Sequence, residues 1–271
     1  MAEQSTFTTL RKDHEAVSSK QEIFQQLETL GVQKGMVLLV HANVQRLGYI
    51  IGGAQALIEA LMEVVGYDGT LVVPTFTPEL LDPACCDHRV SREYWKDVRS
   101  FALPFDKKLT SPSEQDTFAM QFLRNEGVIR SYHPLYSFAA WGKYAKVICN
   151  RHPLHFGLSK DSPLGKVVEF NGNVLMLGCD YTDCSIFHLA RYMNDQTPIR
   201  LISAPIINNK KTMWKDMLDL DYQTKNFSEI GEVIEERNLI KTTYIGNTKC
   251  KMFSSREAIS LASAYFQVHN D

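Results

Sequence analysis

Two hydrophobic periods run along the chain, and they meet most clearly over residues 173–192. A polar turn enters the unbroken apolar run at 174–177, which has the length and composition of a strand buried on both faces. Gly178 and a cluster of small polar residues end it. Ile186, Leu189 and Ala190 then recur at helical spacing, so the pattern changes from strand to helix. His188 therefore falls in the first turns of a helix, just past the carboxyl end of a buried strand. Ligands of open α/β sheets collect at that edge.

The same periods organise the rest of the chain. Ser19 caps a helix with Ile23, Phe24, Leu27 and Leu30 on one face, closed by Gly31. Residues 36–40 predict a buried strand ending at His41. A polar loop, 41–48, leads to Gly52-Gly53 and a helix carrying Ala56, Leu57, Ala60, Leu61 and Val64. Residues 69–75 are the next strand and complete a β-α-β unit, with a right-handed crossover expected. Residues 76–110 are irregular apart from a short helical piece near 93–98, and so long an excursion predicts a lid or pocket wall. A short helix at 118–125 precedes a strand-like stretch, 128–140, in which Pro134 holds His133 extended. Residues 141–150 predict a helix, and Ser162-Pro163 starts another. Farther on, 199–207 and 212–222 predict strands that pair across a turn at 208–211. A helix at 227–237, strands at 239–245 and 249–253, and a last helix capped by Ser254 or Ser255 and ending near His269 complete the chain. No repeat or linker divides it: residues 1–19 predict a flexible arm, and 20–271 a single domain.

At 271 residues, with 44% apolar and 22% charged positions, the chain suits one sizeable α/β core. A formal charge of -2 offers no long-range attraction to nucleic acid or an anionic membrane, so neither is an expected partner and an anionic ligand needs a local site. No apolar stretch approaches the roughly 20 residues of a bilayer span, and the start, Met-Ala-Glu-Gln-Ser-Thr, lacks a signal core; a cytoplasmic protein is expected. Six cysteines without Cys-x-x-Cys spacing suit a reducing compartment. Adjacent Cys85 and Cys86 match no closed metal spacing even with Asp87 and His88, and no metal is expected.

Three features carry candidate chemistry. A neutral imidazole at His188, near a helix amino terminus, can take a proton from an attacking group, although a lone histidine is more often simply packed. His133, with Tyr136 and Ser137, projects polar groups from an apolar path and is a second acid, base or ligand-binding candidate, a structural role being the commoner outcome. The helix start at Gly52-Gly53 offers backbone amides to a phosphate, a weak signal that tight helix packing explains as well. Arg46, and less directly Lys107 and Lys108, are the nearest positive residues in sequence.

Several ordered motifs then give a resemblance. They are Leu39-Val-His41 with its loop to Gly48 and Gly52-Gly53-Ala54; Gly69-Thr-Leu-Val-Val-Pro-Thr-Phe76; and Arg130-Ser-Tyr-His-Pro-Leu-Tyr-Ser-Phe-Ala-Ala-Trp-Gly142. Asp161-Ser-Pro-Leu-Gly-Lys166, and the run from Val174-Leu-Met-Leu-Gly178 through His188-Leu-Ala190, complete the set. Over residues 29–266 the chain resembles the aminoglycoside 3-N-acetyltransferase family, particularly its homologues from Gram-positive bacteria. The resemblance implies an α/β fold with a mixed central sheet and flanking helices. It also implies acetyl transfer from acetyl-CoA to a primary amine of an aminoglycoside or related amino compound, through a ternary complex and without a metal.

By the same resemblance the catalytic histidine falls on His188, oriented by a carboxylate at Asp219 or, failing that, Asp221. The cofactor site falls on His41, Ala42, Asn43, Val44, Leu47 and Gly48, on the strand end Pro74, Thr75 and Phe76, and on His133, Pro134, Ser137 and Phe138. The chemistry suits these residue types. An amine attacks a thioester only when uncharged, so a base must remove its proton, and an imidazole held in one tautomer can do so. Thr75 and Ser137 are candidate hydroxyl donors to the oxyanion, and the Gly52-Gly53 amides a candidate site for the CoA pyrophosphate.

Departures from the family lie close to these positions. Arg191 follows His188-Leu-Ala where the family has Glu, which is expected to weaken attraction for a polycation. Asp116-Thr117 stands where the family tends to Met-Gly, losing a close backbone approach. Ala42, Asn43 and Val44 replace small hydroxyl residues. Two alternatives follow: a diverged or non-catalytic CoA-binding homologue, and a Cys-His acyl-enzyme transferase or hydrolase built on Cys184, four residues before His188, against the commoner fate of a buried cysteine.

Overall fold

A computed structural model of the chain describes residues 16–86, 90–113, 116–194, 197–221, 224 and 226–269. The helices are α1 (Lys20–Leu30), α2 (Gly53–Val65), α3 (Trp95–Phe101), α4 (Thr117–Phe122), α5 (Ala145–Cys149), α6 (Pro163–Glu169), α7 (Ile186–Arg191), α8 (Phe227–Glu236) and α9 (Ser255–Val268). The strands are β1 (Val17–Ser18), β2 (Val37–Ala42), β3 (Tyr49–Ile50), β4 (Thr70–Pro74), β5 (Ile129–Arg130), β6 (Phe138–Gly142), β7 (Asn173–Leu177), β8 (Ile199–Asn208), β9 (Lys211–Leu220), β10 (Ile240–Ile245) and β11 (Thr248–Ser254).

Seven strands form a mixed central sheet in the order β10-β11-β7-β2-β4-β6-β5. β7, β2 and β4 are parallel; β11, β10, β6 and β5 continue the sheet in antiparallel pairs on its two sides. The unbroken apolar runs follow from burial on both faces. Leu38 and Val40 of β2 pack into the cluster with α1, α2 and α4, whereas Val37 and Leu39 pack into the one with α5 to α9. No helix among the described residues is long and apolar enough to cross a membrane.

Local signals set the helix ends. Ser19 and Glu22 form a reciprocal capping box on α1, and Gly31 ends it in the left-handed conformation. Ser162 caps α6 ahead of Pro163, and Ser254 caps α9. Asn209 and Lys210, both at positive φ, turn the β8–β9 hairpin, which forms a sheet of its own. Of the expected arm, residues 1–15 lie outside the described residues; Val17–Ser18 pair in parallel with Tyr49–Ile50.

Two stretches differ from the sequence reading. Residues 128–140 fold back as a hairpin, with Ile129 opposite Ala140 and Arg130 opposite Ala139. Trp141 and Gly142 extend β6 along β4 instead of opening a helix, which starts only at Ala145. Pairing with a strand some 70 residues earlier outweighs the local helical pattern.

Candidate functional site

A cleft of about 430 Å³ opens at the carboxyl ends of β2 and β4. Its floor is the end of β2, Val40 to Val44, beside Val73 and Pro74 of β4. One wall is the segment after β7, with Cys179, Thr182, Asp183 and Ser185 leading to His188. The other is Ser113 with Asp116, Thr117 and Phe118 at the start of α4, together with Phe76 and Pro78 just after β4. Of the excursion expected over residues 76–110, only its start, Phe76 and Pro78, lines this cleft.

Arg130 holds this wall in place. Its guanidinium donates to the carbonyls of Thr110 and Thr75 and to Ser137 Oγ, and lies over the Phe105 ring at 5.0 Å. Burial lowers its pKa to about 10, which leaves it a cation at neutral pH.

His188 is 8% exposed and borders the cleft. Its ring meets Phe227 edge-on at 4.9 Å. Burial, with smaller contributions from the charges of Arg191 and His41, lowers its pKa to about 3, so the imidazole is neutral. His41, at the end of β2, is likewise buried and lowered to about 4 by desolvation. Its Nε2 accepts from the Ser185 backbone amide at 3.4 Å and lies 3.3 Å from Ser185 Oγ.

The carboxylates expected beside His188 are engaged elsewhere. Asp219 is buried, and its Oδ1 accepts from the Tyr192 hydroxyl and, at 2.9 Å, from the Leu220 amide; Tyr136 bonds the same carboxylate. Burial raises its pKa. Asp221 is exposed and sits 3.5 Å from Arg200. Neither aspartate is paired with the imidazole: Asp219 is held by Tyr192, Tyr136 and the Leu220 amide, and Asp221 faces Arg200.

The expected cofactor residues divide into two groups. His41, Ala42, Asn43, Val44, Pro74 and Phe76 line the cleft. Leu47, Thr75, His133, Pro134, Ser137 and Phe138 do not: all are buried beneath or beside it. Thr75 Oγ1 bonds the Ser137 carbonyl and hydroxyl, so these hydroxyls are spent on each other and are not oxyanion donors at the cleft. His133 Nδ1 accepts from the amides of Leu135 and Tyr136 at 3.1 and 3.0 Å, which makes it the internal cap of a turn. Gly48 is there for clearance, since a Cβ at that position would stand 2.8 Å from the Ala16 carbonyl oxygen.

Other readings are corrected by burial. Cys184 is 0% exposed within the core and burial pushes its thiol far up, so it offers no thiolate to a substrate. Arg191 is not part of the cleft lining: its guanidinium lies between Phe266 at 4.1 Å and Phe227 at 5.9 Å, although its charge still reaches His188. Asp116 caps α4 through the Ala119 amide, which replaces a close backbone approach with a capping bond. Gly52 and Gly53 both take positive φ, and a Cβ on Gly53 would meet nothing within 4 Å; conformation, not packing, calls for that glycine. Arg46 pairs with Asp180 at 2.6 Å on the surface. Among the described residues no cluster of three or more His, Cys, Asp or Glu side chains is placed to hold a metal ion, and Asp87 and His88 lie outside them. Ser113, Thr182, Asp183 and Ser185 were not picked out in the sequence, whereas Asp116-Thr117 was noted there as a departure close to the site; for the segment after β7 the signal was the cluster of small polar residues after Gly178.

A sheet covered on both faces, with a small-molecule cleft at the carboxyl edge of its parallel strands, defines an α/β enzyme of the kind that works at a strand-end crevice. The aminoglycoside 3-N-acetyltransferase family profile matches residues 39–267, and the chain belongs to that family. It is an N-acetyltransferase of this family. The chain is 37% identical over 255 residues, 93% of each protein, to the SPbeta prophage-derived aminoglycoside N(3')-acetyltransferase-like protein YokD of Bacillus subtilis. The crystal structure of YokD superposes with a TM-score of 0.89 at 36% identity, covering 95% of both chains. AAC-IIIb in binary complex with CoASH shares the fold, with a TM-score of 0.82 at 24% identity over 93% of this chain and 97% of that one.

Proposed function

We propose that the protein transfers the acetyl group of acetyl-CoA to a primary amine of an aminoglycoside or related amino compound, with His188 as the proton acceptor. The observation that carries this reading is a neutral imidazole bordering a cleft at the carboxyl edge of β2 and β4. A cleft of about 430 Å³ falls within the roughly 300–1,000 Å³ usual for small-molecule sites. Its lining is apolar or neutral on the β2 and β4 side and, among the described residues, includes no Lys or Arg, which suits an uncharged pantetheine arm lying along Ala42, Asn43, Val44, Pro74 and Phe76. The phosphates then rest outside the cleft, with the exposed Gly52 at the start of α2 as their candidate site.

When bound, acetyl-CoA supplies an acyl carbon already activated as a thioester. The chain's own groups do the rest. Asp116 and Asp183 give the cleft two carboxylates, which favour a cationic amine. His188, lowered to about 3, is too weak a base to strip a free ammonium. It takes the proton as the nitrogen bonds to the acyl carbon, because that nitrogen becomes strongly acidic only then. The surrounding burial keeps the ring unprotonated and ready.

Isothermal titration with acetyl-CoA, followed by thiol release over a panel of amines, tests the reading. Saturable binding and thiol release with a cationic amine support it. No cofactor binding sinks it, and binding without thiol release from any amine favours the diverged homologue.

A further inference from the structure

A second histidine shares the cleft floor with His188, and the geometry gives it a separate task. His41 Nε2 faces the start of α7, 3.4 Å from the Ser185 backbone nitrogen and 3.3 Å from Ser185 Oγ. A backbone N–H can only donate, so Nε2 must be the unprotonated nitrogen and the ring proton sits on Nδ1. The Ser185 hydroxyl, sharing that lone pair, can approach only as a donor too. Ser185 in turn accepts the His188 amide on its carbonyl oxygen at 3.2 Å. Two hydrogen bonds in series thus run from the end of β2 to the backbone of His188.

The need for such a tie follows from α7 itself. It has six residues, and Ser185 makes no side-chain cap bond to it. A helix this short has little stability of its own, and its place must come from packing and from what holds its first turn. His41 lies on one of the three parallel strands, where its backbone pairs with Met176 of β7. It is therefore a rigid anchor for a short, weakly self-supporting helix.

We infer that His41 is a positioning residue for the acetyl transfer: its Nε2 holds Ser185, and through Ser185 sets where His188 stands in the cleft. The inference rests on the reading of His188 as proton acceptor. The Nε2 edge of His41 is spent on Ser185 inside the protein, so His41 serves turnover through His188.

Steady-state kinetics on three variants decide it. His41→Met keeps length and apolar bulk but loses the acceptor; kcat is expected to fall about 10- to 100-fold, with KM for acetyl-CoA unchanged within about threefold. His41→Gln places an amide oxygen near the lost Nε2 and is expected to recover most of the loss in kcat. His41→Asn is too short to reach and should behave like Met. Circular dichroism establishes folding first; should His41→Met not fold, the Gln against Asn comparison carries the same test. Equal loss in Gln and Asn, or a raised KM for acetyl-CoA with kcat intact, would overturn the inference. His188→Ala is run alongside: if that variant keeps wild-type turnover, it is the proton-acceptor reading that has failed.

Discussion

The guanidinium of Arg191 lies 4.1 Å from the ring centre of Phe266, one turn along α7 from His188. With Phe227 at 5.9 Å it makes a second ring contact, and the side chain is 3% exposed. Cation–π contacts that are desolvated contribute about 2 kcal/mol or more. Arg191→Met, which keeps the packing stem, is expected to lower stability by about 1–2 kcal/mol. Arg191→Glu, the residue that the family resemblance sets at this position, places an anion against two negative ring faces and is expected to cost about 3–5 kcal/mol. Urea denaturation measures both. A Glu variant as stable as wild type would contradict the placement, and so would a gain in amine affinity with Arg191→Met.

Asp116 gives a stability effect whose sign depends on pH. Burial, with the nearby charge of Asp183, raises its carboxyl from 3.8 to about 6, although the Ala119 amide opposes the shift. Below pH 4 the folded and unfolded chains both hold the proton. Between 3.8 and about 6 the folded form holds it while the unfolded form gives it up, so stability falls as pH rises. Above that the penalty is constant, at roughly 3 kcal/mol. Asp116→Asn keeps a good cap on α4 without the charge. It should match wild type near pH 4 and exceed it by about 3 kcal/mol at pH 8. Buried His41 and His152, both lowered to about 4, destabilise the fold as pH falls below 6.5, but they do so in both proteins and cancel in the comparison. An advantage confined to acid pH would contradict the assignment.

Gly165, in the Asp161-Ser-Pro-Leu-Gly-Lys motif, is set by clearance. A Cβ there would stand 1.8 Å from the Lys160 carbonyl oxygen, a backbone atom that cannot swing aside. Gly165→Ala is expected to lose about 3 kcal/mol or more through forced backbone movement at the start of α6, read as a lowered thermal midpoint. A variant with the wild-type midpoint would show that α6 can shift without cost.

His133 is expected to affect stability and not cofactor affinity. His133→Phe leaves the amides of Leu135 and Tyr136 without their acceptor, at a cost of about 2–4 kcal/mol. His133→Asn, whose side-chain oxygen falls near the Nδ1 position, should recover part of it. Where the variants are folded, the dissociation constant for acetyl-CoA should stay within about threefold of wild type. A larger loss of CoA affinity in folded protein would return His133 to the cofactor site.

Much of this fold is written locally. The strands β2, β4 and β7 are unbroken apolar runs, and Ser19, Gly31 and Ser162 mark helix ends by short-range bonds, so each was legible from a few neighbouring residues. Trp141 was not, because its strand state comes from facing Leu71 across the sheet. The site divides in the same way. The floor at His41 to Val44 and the approach of His188 to a strand end follow from chain order. The partner of Asp219, the direction of Arg191 and the burial of Cys184 depend on Tyr192, Phe266 and α8, which tertiary packing brings together. The family resemblance pointed to Asp219 and Arg191 and helical spacing to Cys184, and neither signal carries the side-chain environments that the packing supplies.

The most direct measurement is thiol release by His188→Ala with acetyl-CoA and a cationic amine, paired with calorimetric CoA binding to the same protein. Turnover should fall by about a thousandfold or more while CoA affinity stays within a few-fold of wild type. Turnover that survives the substitution in a folded, CoA-binding variant would contradict the role given to His188.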